Sequence, residues 1–383
     1  MNNRPTDKLP ASGESIFATM SRMALEHNAI NLSQGFPDFE CPEKLKELVD
    51  YYIKKGFNQY APMPGVPRLR EEIREKTLRM YGSHYNADTE ITVTAGATQA
   101  LYTAITAITS PGDECIVFEP AYDSYMPAIQ LSGGNIKPLK LKSGDFSLPW
   151  DEIRNTVTEK TRFLLLNTPQ NPGGSVITAD DRKQFEELAV KYPGLIFICD
   201  DVYENILFDG RVHYSFTQSN VLKPRSIVIS SFGKSYHTTG WKMGYILAPE
   251  YYTKLIRKIH QFLVFSVNTP MQHAFADFLK DDDHTRELSP FYQRKRDLFN
   301  SLVSGSKFKL RPAEGTYFQL LDYSAISGEN DRKFAERLTK EYGVAVIPLS
   351  PFYGDDHQTG MIRVCFAKRD EVLTAAAEKL CKI

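Results

Sequence analysis

The chain of 383 residues is poor in cysteine, with five, at positions 41, 115, 199, 365 and 381. The number is odd and no pair has the C-x-x-C spacing, so neither a disulfide framework nor a zinc site is expected. Cys115, Cys199 and Cys365 lie inside apolar runs and read as small buried hydrophobes. No apolar run reaches the length of a membrane span. The opening MNNRPTDKLPASGES lacks the apolar centre of a secretory signal, which makes the cytoplasm the expected location. Charge of either sign is not in excess: 46 basic residues face 47 acidic ones. That balance offers no electrostatic footprint for nucleic acid or an anionic membrane. Repeats and low-complexity stretches are also missing.

What is present is a long chain with average apolar and charged content, enough for about two domains. Its middle alternates short apolar runs with longer amphipathic ones. Ile91–Thr94, Glu114–Phe118, Ile136–Leu141, Arg162–Asn167, Leu195–Cys199, Ser226–Ser230 and Gly244–Leu247 read as strands. Ala97–Ile108, Asp123–Leu131 and Asp180–Lys191 read as helices between them. Such alternation needs crossover connections and predicts an α/β domain with a mostly parallel sheet. Beyond Pro249 the rhythm changes. Helices are expected at Tyr251–Phe262, Pro290–Leu302, Arg332–Glu341 and Glu371–Leu380, with strands at Thr316–Leu321, Val344–Ile347 and Met361–Phe366. This predicts a smaller α+β domain. The expected division is 1–42 as an N-terminal segment on the small domain, 43–285 as the large domain and 286–383 as the small one. The stretch before Pro42 is rich in turn residues.

Ligands of open parallel sheets bind at the carboxyl ends of the strands. Polar residues follow four strands in succession: Gly96-Ala97-Thr98, then NTPQNPGG with Asn167 and Asn171, then CDDVYE with Asp200 and Tyr203, then SFGKSYHTTGWKMG with Ser231 and Lys234. Each has an ordinary reading alone. Thr98 and Ser231 are helix-capping types, Asn171 precedes a proline, Tyr122 suits a core, and Lys242 could lie along a surface. Together they match the needs of a phosphate-bearing aromatic aldehyde. Ala97, Thr98 and Ser231 offer N–H and hydroxyl donors at a helix start, with Lys242 as a cation. Asp200 would keep a ring nitrogen protonated. Asn171 and Tyr203 offer donors to a phenolic oxygen. Tyr122, in EPAYDSY, supplies a flat face. Lys234 supplies the amine.

These motifs resemble those of fold-type I, class I aminotransferases, as do NQYAPMPG and MIRVCFAK. The resemblance covers about Ile16 to Lys382. NLSQGFPDF and HQFLVFSVNTP are similar to bacterial methionine aminotransferases and the kynurenine aminotransferase/glutamine transaminase K group. The resemblance implies a large domain with a sheet of the seven-stranded type between helices. It implies pyridoxal 5'-phosphate joined to Lys234, and a homodimer in which Tyr60 reaches the neighbouring subunit's phosphate. It implies that Arg363 clamps the substrate carboxylate, with Asn171 and Gly35 beside it. Phe17, Tyr60, Tyr122 and Phe265 would then border the substrate side chain. Such a pocket suits methionine, phenylalanine or kynurenine. Phe17 stands where animal kynurenine enzymes carry Trp, and Lys242 where aspartate aminotransferases commonly carry Arg. The implied reaction is ping-pong transfer from an amino acid to a 2-oxo acid. Cysteine-S-conjugate β-lyase chemistry is an alternative activity. A regulator using this fold is a remote one, since the roughly 30 residues before the enzyme-like region show no DNA-binding pattern.

Overall fold

The computed structural model describes residues 6–10, 13–281 and 283–383. Seven strands form the main sheet: β1 (Ile91–Thr94), β2 (Glu114–Glu119), β3 (Asn135–Lys140), β4 (Thr161–Asn167), β5 (Ile196–Asp200), β6 (Ser226–Ser231) and β7 (Gly244–Leu247). Their spatial order is β1-β7-β6-β5-β4-β2-β3. All pairs from β3 across to β6 are parallel, while β7 is antiparallel to both neighbours. The mostly parallel sheet expected from the alternating pattern is therefore present, with one reversed strand.

Apolar residues on both faces explain why these runs are strands. In β4, Phe163 and Leu165 enter one core and Leu164 and Leu166 the other, as a two-residue period requires. The helix Ala97–Ile108 closes the first face with Leu101, Ala104, Ile105 and Ile108. Those residues recur at helical spacing and form one stripe. On the other face Phe185, Phe197 and Phe216 pack with ring centroids 5.1–5.9 Å apart. Each large side chain so buried contributes about 1.5–3 kcal/mol. Phe185 belongs to the helix Ala179–Lys191, which starts on a reciprocal cap. Thr178 Oγ1 accepts from the Asp181 N–H at 3.1 Å, and the Asp181 carboxylate accepts from the Thr178 N–H at 2.7 Å.

A second, antiparallel sheet follows: β8 (Phe318–Asp322), β9 (Ile347–Pro348) and β10 (Met361–Cys365), in the order β9-β10-β8. Phe334 and Leu338 of helix Asp331–Glu341, and Leu373 and Ala377 of helix Asp370–Leu380, are buried in the same core.

The opening and the longest helix are among the features that differ from the sequence expectation. The turn-rich opening contains a helix, Ile16–Glu26, and a short strand, Ile30–Asn31, that pairs in parallel with Val344–Ala345. The helix expected to start at Pro290 begins at Asp283 and runs through the proline to Val303. A proline removes one backbone donor, but Leu288, Tyr292, Phe299 and Val303 bury one face of this helix, and that burial outweighs the loss. No described helix is long and apolar enough to cross a membrane.

Candidate active site

Asn167 ends β4, Asp200 ends β5 and Ser231 ends β6, all at one edge of the sheet. Asn167 is in register with Asp200, and Ser231 with Gly244. Because β7 is reversed, its beginning lies at this edge and carries Lys242 and Met243 there. Backbones approach closely at this point. A Cβ on Gly244 would lie 2.8 Å from the Ser230 carbonyl and 3.1 Å from the Ala97 nitrogen. Gly96, at φ +80, turns the chain from β1 into the helix Ala97–Ile108 and, as its N-cap, has no side chain with which to cap it. Such a start presents free N–H groups and the positive end of the helix dipole.

A cavity of about 310 Å³ lies at this edge. Phe17, Gly35, Ala97, Thr98, Tyr122 and Asn171 line it, together with Asp200, Tyr203, Ser231, Lys234, Lys242 and Arg363. Twelve of the residues singled out from sequence are thus brought together. Tyr60 and Phe265 are not among them. They are 82% and 47% exposed, and their rings touch edge to face with centroids 5.4 Å apart.

Lys234 sits on the single helical turn Phe232–Ser235, where Ser231 Oγ accepts from the Gly233 N–H at 3.2 Å. Its amine donates to Tyr317 Oη at 2.9 Å and to the Gly35 carbonyl at 3.3 Å. Burial pushes the amine down to about 8, and the cations Lys242 and Arg363 act in the same direction. An amine so placed is available as a nucleophile or base near neutral pH.

Asp200 accepts a hydrogen bond from Tyr125 Oη at 2.5 Å and one from the Val202 N–H at 3.4 Å. Burial raises its carboxyl to about 6, against the pull of the Tyr125 hydroxyl. A carboxylate held this way gains strongly from a cation brought beside it. The Tyr203 phenol is held well above its ordinary range by burial and stays protonated.

Arg363 lies on β10, fully enclosed. Its Nη1 donates to Asn171 Oδ1 at 2.7 Å and its Nη2 to the Ser33 carbonyl at 3.3 Å. Its guanidinium lies 3.9 Å from the Phe318 ring centroid. Burial lowers its pKa to about 10, which still leaves a cation at neutral pH. Its Nε is buried with no hydrogen-bond partner among the described residues.

Tyr125, Tyr317 and Phe318 also shape the cavity or hold its polar groups although nothing in the sequence marked them, and Asn167, noted at its strand end without a role, lines it too. Tyr125 stands three positions after Tyr122 in EPAYDSY, a spacing that brings both near one place as the helix begins. Tyr317 stands one residue before β8 and reads locally as part of a strand. Cys115, Cys199 and Cys365 are buried, as their apolar flanks suggested.

A family model described as aminotransferase class I and II matches residues 27–380. The methionine aminotransferase of Escherichia coli is 48% identical, over 98% of this chain and 97% of that protein. The kynurenine–oxoglutarate transaminase of Dictyostelium discoideum is 35% identical, over 99% of this chain and 96% of that protein. Among solved structures, an Escherichia coli protein with an identified methionine aminotransferase function superposes with a TM-score of 0.97 at 48% identity, covering 99% of this chain and all of that one. The N-succinyldiaminopimelate aminotransferase of Mycobacterium tuberculosis superposes with a TM-score of 0.95 at 33% identity, again over 99% of this chain and all of that one. With an enclosed amine, carboxylate and guanidinium meeting at the strand ends of such a fold, the chain belongs to the class I and II aminotransferases.

Proposed function

We propose that this aminotransferase holds pyridoxal 5'-phosphate on Lys234 and moves the amino group of methionine, or of another large apolar or aromatic amino acid, to a 2-oxo acid. Kynurenine and glutamine are further candidate donors. One observation carries the reading: the Lys234 amine and the Asp200 carboxylate line the same cavity, beside a helix N-terminus that begins on a glycine. The residues fit such a cofactor. The start of helix Ala97–Ile108, with Thr98, Ser231 and Lys242, suits its phosphate. Asn171 spends its side-chain oxygen on Arg363, so its amide N–H groups remain as donors to the phenolic oxygen, joined by the protonated Tyr203. Tyr122 would cover the ring.

When bound, pyridoxal phosphate supplies an aldehyde for the amino group and an electron-withdrawing ring for the carbon that loses its proton. Asp200 would keep a proton on the ring nitrogen. Its own buried carboxylate is costly alone and is stabilised by that pairing. Lys234 would take the substrate's α-proton and return it. Arg363 would fix the substrate carboxylate through its forked donors, and its partnerless Nε marks spare donor capacity at that point. Phe17 and Phe318 surround that guanidinium with apolar surface. Among the described residues, no cation beyond Lys234, Lys242 and Arg363 lines the cavity, which favours uncharged substrate side chains.

The reading extends to a homodimer with shared sites and to domains at 1–42, 43–285 and 286–383. Tyr60, Phe262, Leu263 and Phe265 are exposed apolar groups on neighbouring segments, joined through the Ser266 Oγ bond to the Ala61 carbonyl at 3.0 Å. A clustered exposed patch of this kind suits association with a second copy.

The test is chemical trapping. Borohydride reduction of the protein loaded with pyridoxal phosphate should leave the cofactor mass on the peptide carrying Lys234. Lys234→Ala should lose both that label and transamination of methionine. Substantial turnover by Lys234→Ala would sink the assignment. Mixing the loaded protein with single amino acids, and following the absorbance change, ranks the donors.

A further inference from the structure

The hydroxyl of Tyr317 stands between the Lys234 amine and the carbonyl of Gly35. It donates to that carbonyl at 2.6 Å and accepts from Lys234 Nζ at 2.9 Å. Lys234 also reaches the Gly35 carbonyl at 3.3 Å. The direction of these bonds follows from counting protons. A carbonyl accepts and never donates, so the one phenolic proton goes to Gly35, and Tyr317 meets the nitrogen with a lone pair. Burial holds the phenol far above its ordinary pKa, so that proton is always present near neutral pH. A neutral amine has two N–H bonds and one lone pair. Both N–H bonds have acceptors here, and the lone pair is the part left for the cavity.

The hydroxyl is itself held firmly. The Tyr317 ring is fully buried and packs edge to face on Tyr203 at 5.3 Å and on Phe318 at 4.9 Å. Gly35 is equally confined, since a Cβ there would meet the Phe318 ring at 2.9 Å. Lys234 follows β6 of the main sheet, Tyr317 precedes β8 of the second sheet, and Gly35 belongs to the N-terminal stretch. The aim of the lysine is therefore set by segments other than the one that carries it.

We propose that Tyr317 is a positioning residue that holds the free Lys234 amine with its lone pair directed at the place where the substrate's α-proton is taken and returned. This rests on the reading of Lys234 as the proton-moving amine, and the experiment separates the two. Wild type and Tyr317→Phe, both loaded with pyridoxal phosphate, are first reduced with borohydride. Lack of label on Lys234 in wild type defeats the reading of Lys234 itself.

With label present, the half-reaction with methionine and with α-deuterated methionine is followed by absorbance. Losing one neutral hydrogen bond that orients the base should slow it about ten-fold at about pH 9.5, with the apparent KM within about two-fold. The deuterium isotope effect should rise, because proton removal becomes more limiting. In the cofactor-free full chain, the pH midpoint for acylation of Lys234 is read by mass spectrometry. The hydroxyl accepts from the nitrogen and favours the ammonium form more than the amine. Its loss should therefore lower the midpoint by about one unit relative to wild type. The signs oppose each other. A purely electrostatic role would make more free amine near neutral pH and speed the reaction, whereas lost positioning slows it. An isotope effect and midpoint both equal to wild type overturn the proposal. Should Tyr317→Phe not fold, Tyr317→Met carries the same comparisons, since Met fills the space adaptably without a hydroxyl.

Discussion

Arg363 illustrates how much a single side chain is asked to do at this edge of the sheet. Its guanidinium is stacked over Phe318, within 5.3 Å of the Phe17 and Phe352 rings, and still donates to Asn171 and Ser33. A planar fork can meet these partners and a substrate carboxylate at once, and an ammonium cannot. Arg363→Lys is therefore expected to lower kcat/KM for methionine about a hundred-fold, the loss of one charge-assisted bond of about 3 kcal/mol. Steady-state kinetics check this, and a variant within two-fold of wild type would remove Arg363 from substrate binding. That Lys234, Asp200 and Arg363 line one cavity was partly legible, because each follows or lies in an apolar run, where a charge needs a reason, and because the family resemblance pointed to Arg363. Tyr317 was not legible. Its role depends on positions 35, 234 and 317 meeting, and no local period records such a meeting.

Among the elements, the helix Pro67–Tyr81 is the one whose anchoring is least like ordinary amphipathic packing. Its buried side includes Arg70, Lys76 and Thr77 besides Leu69 and Ile73. The charged residues break the apolar stripe, which is why hydrophobic periodicity did not reveal this helix. Lys76 Nζ instead reaches Glu204 at 2.6 Å, and Glu204 also accepts from Tyr81 at 2.5 Å and Ser230 at 2.6 Å. Burial alone would raise the Glu204 carboxyl, but the Lys76 ammonium and these donors hold it down to about 2. A lowered carboxyl adds stability above its unfolded pKa, near 4.5, and that stability is lost as pH falls towards 2. Lys76→Met leaves the carboxylate buried without its cation and should cost about 3–5 kcal/mol at neutral pH. Urea unfolding at stepped pH reads both effects: the gap between wild type and variant should shrink on acidification. Taking the difference isolates this pair from Asp200, whose raised pKa favours the fold at low pH and withdraws that support as pH rises through about 6. A gap that does not change with pH would show that the pair is electrostatically idle. The strands were easier to read than this helix. Runs such as Phe163–Leu166 are buried on both faces, so composition alone marks them.

For the whole molecule, the exposed pair Tyr60 and Phe265 carries the clearest prediction. Should each site borrow Tyr60 from a second copy, two defective chains can repair one another. Lys234→Ala and Tyr60→Ala, each impaired alone, should regain about a quarter of wild-type activity when unfolded and reassembled together in equal amounts, since half the dimers are mixed and each holds one intact site. No recovery beyond the sum of the separate variants would show that the sites are not shared. The short pairing of Ile30–Asn31 with Val344–Ala345 bears on how such a molecule is made. During synthesis the first of these strands leaves the ribosome with its partner still untranslated, although every strand of the main sheet has been made by Leu247. The wall containing Gly35 must therefore wait for the last tenth of the chain, so the nascent protein gains its framework early and its reactivity late.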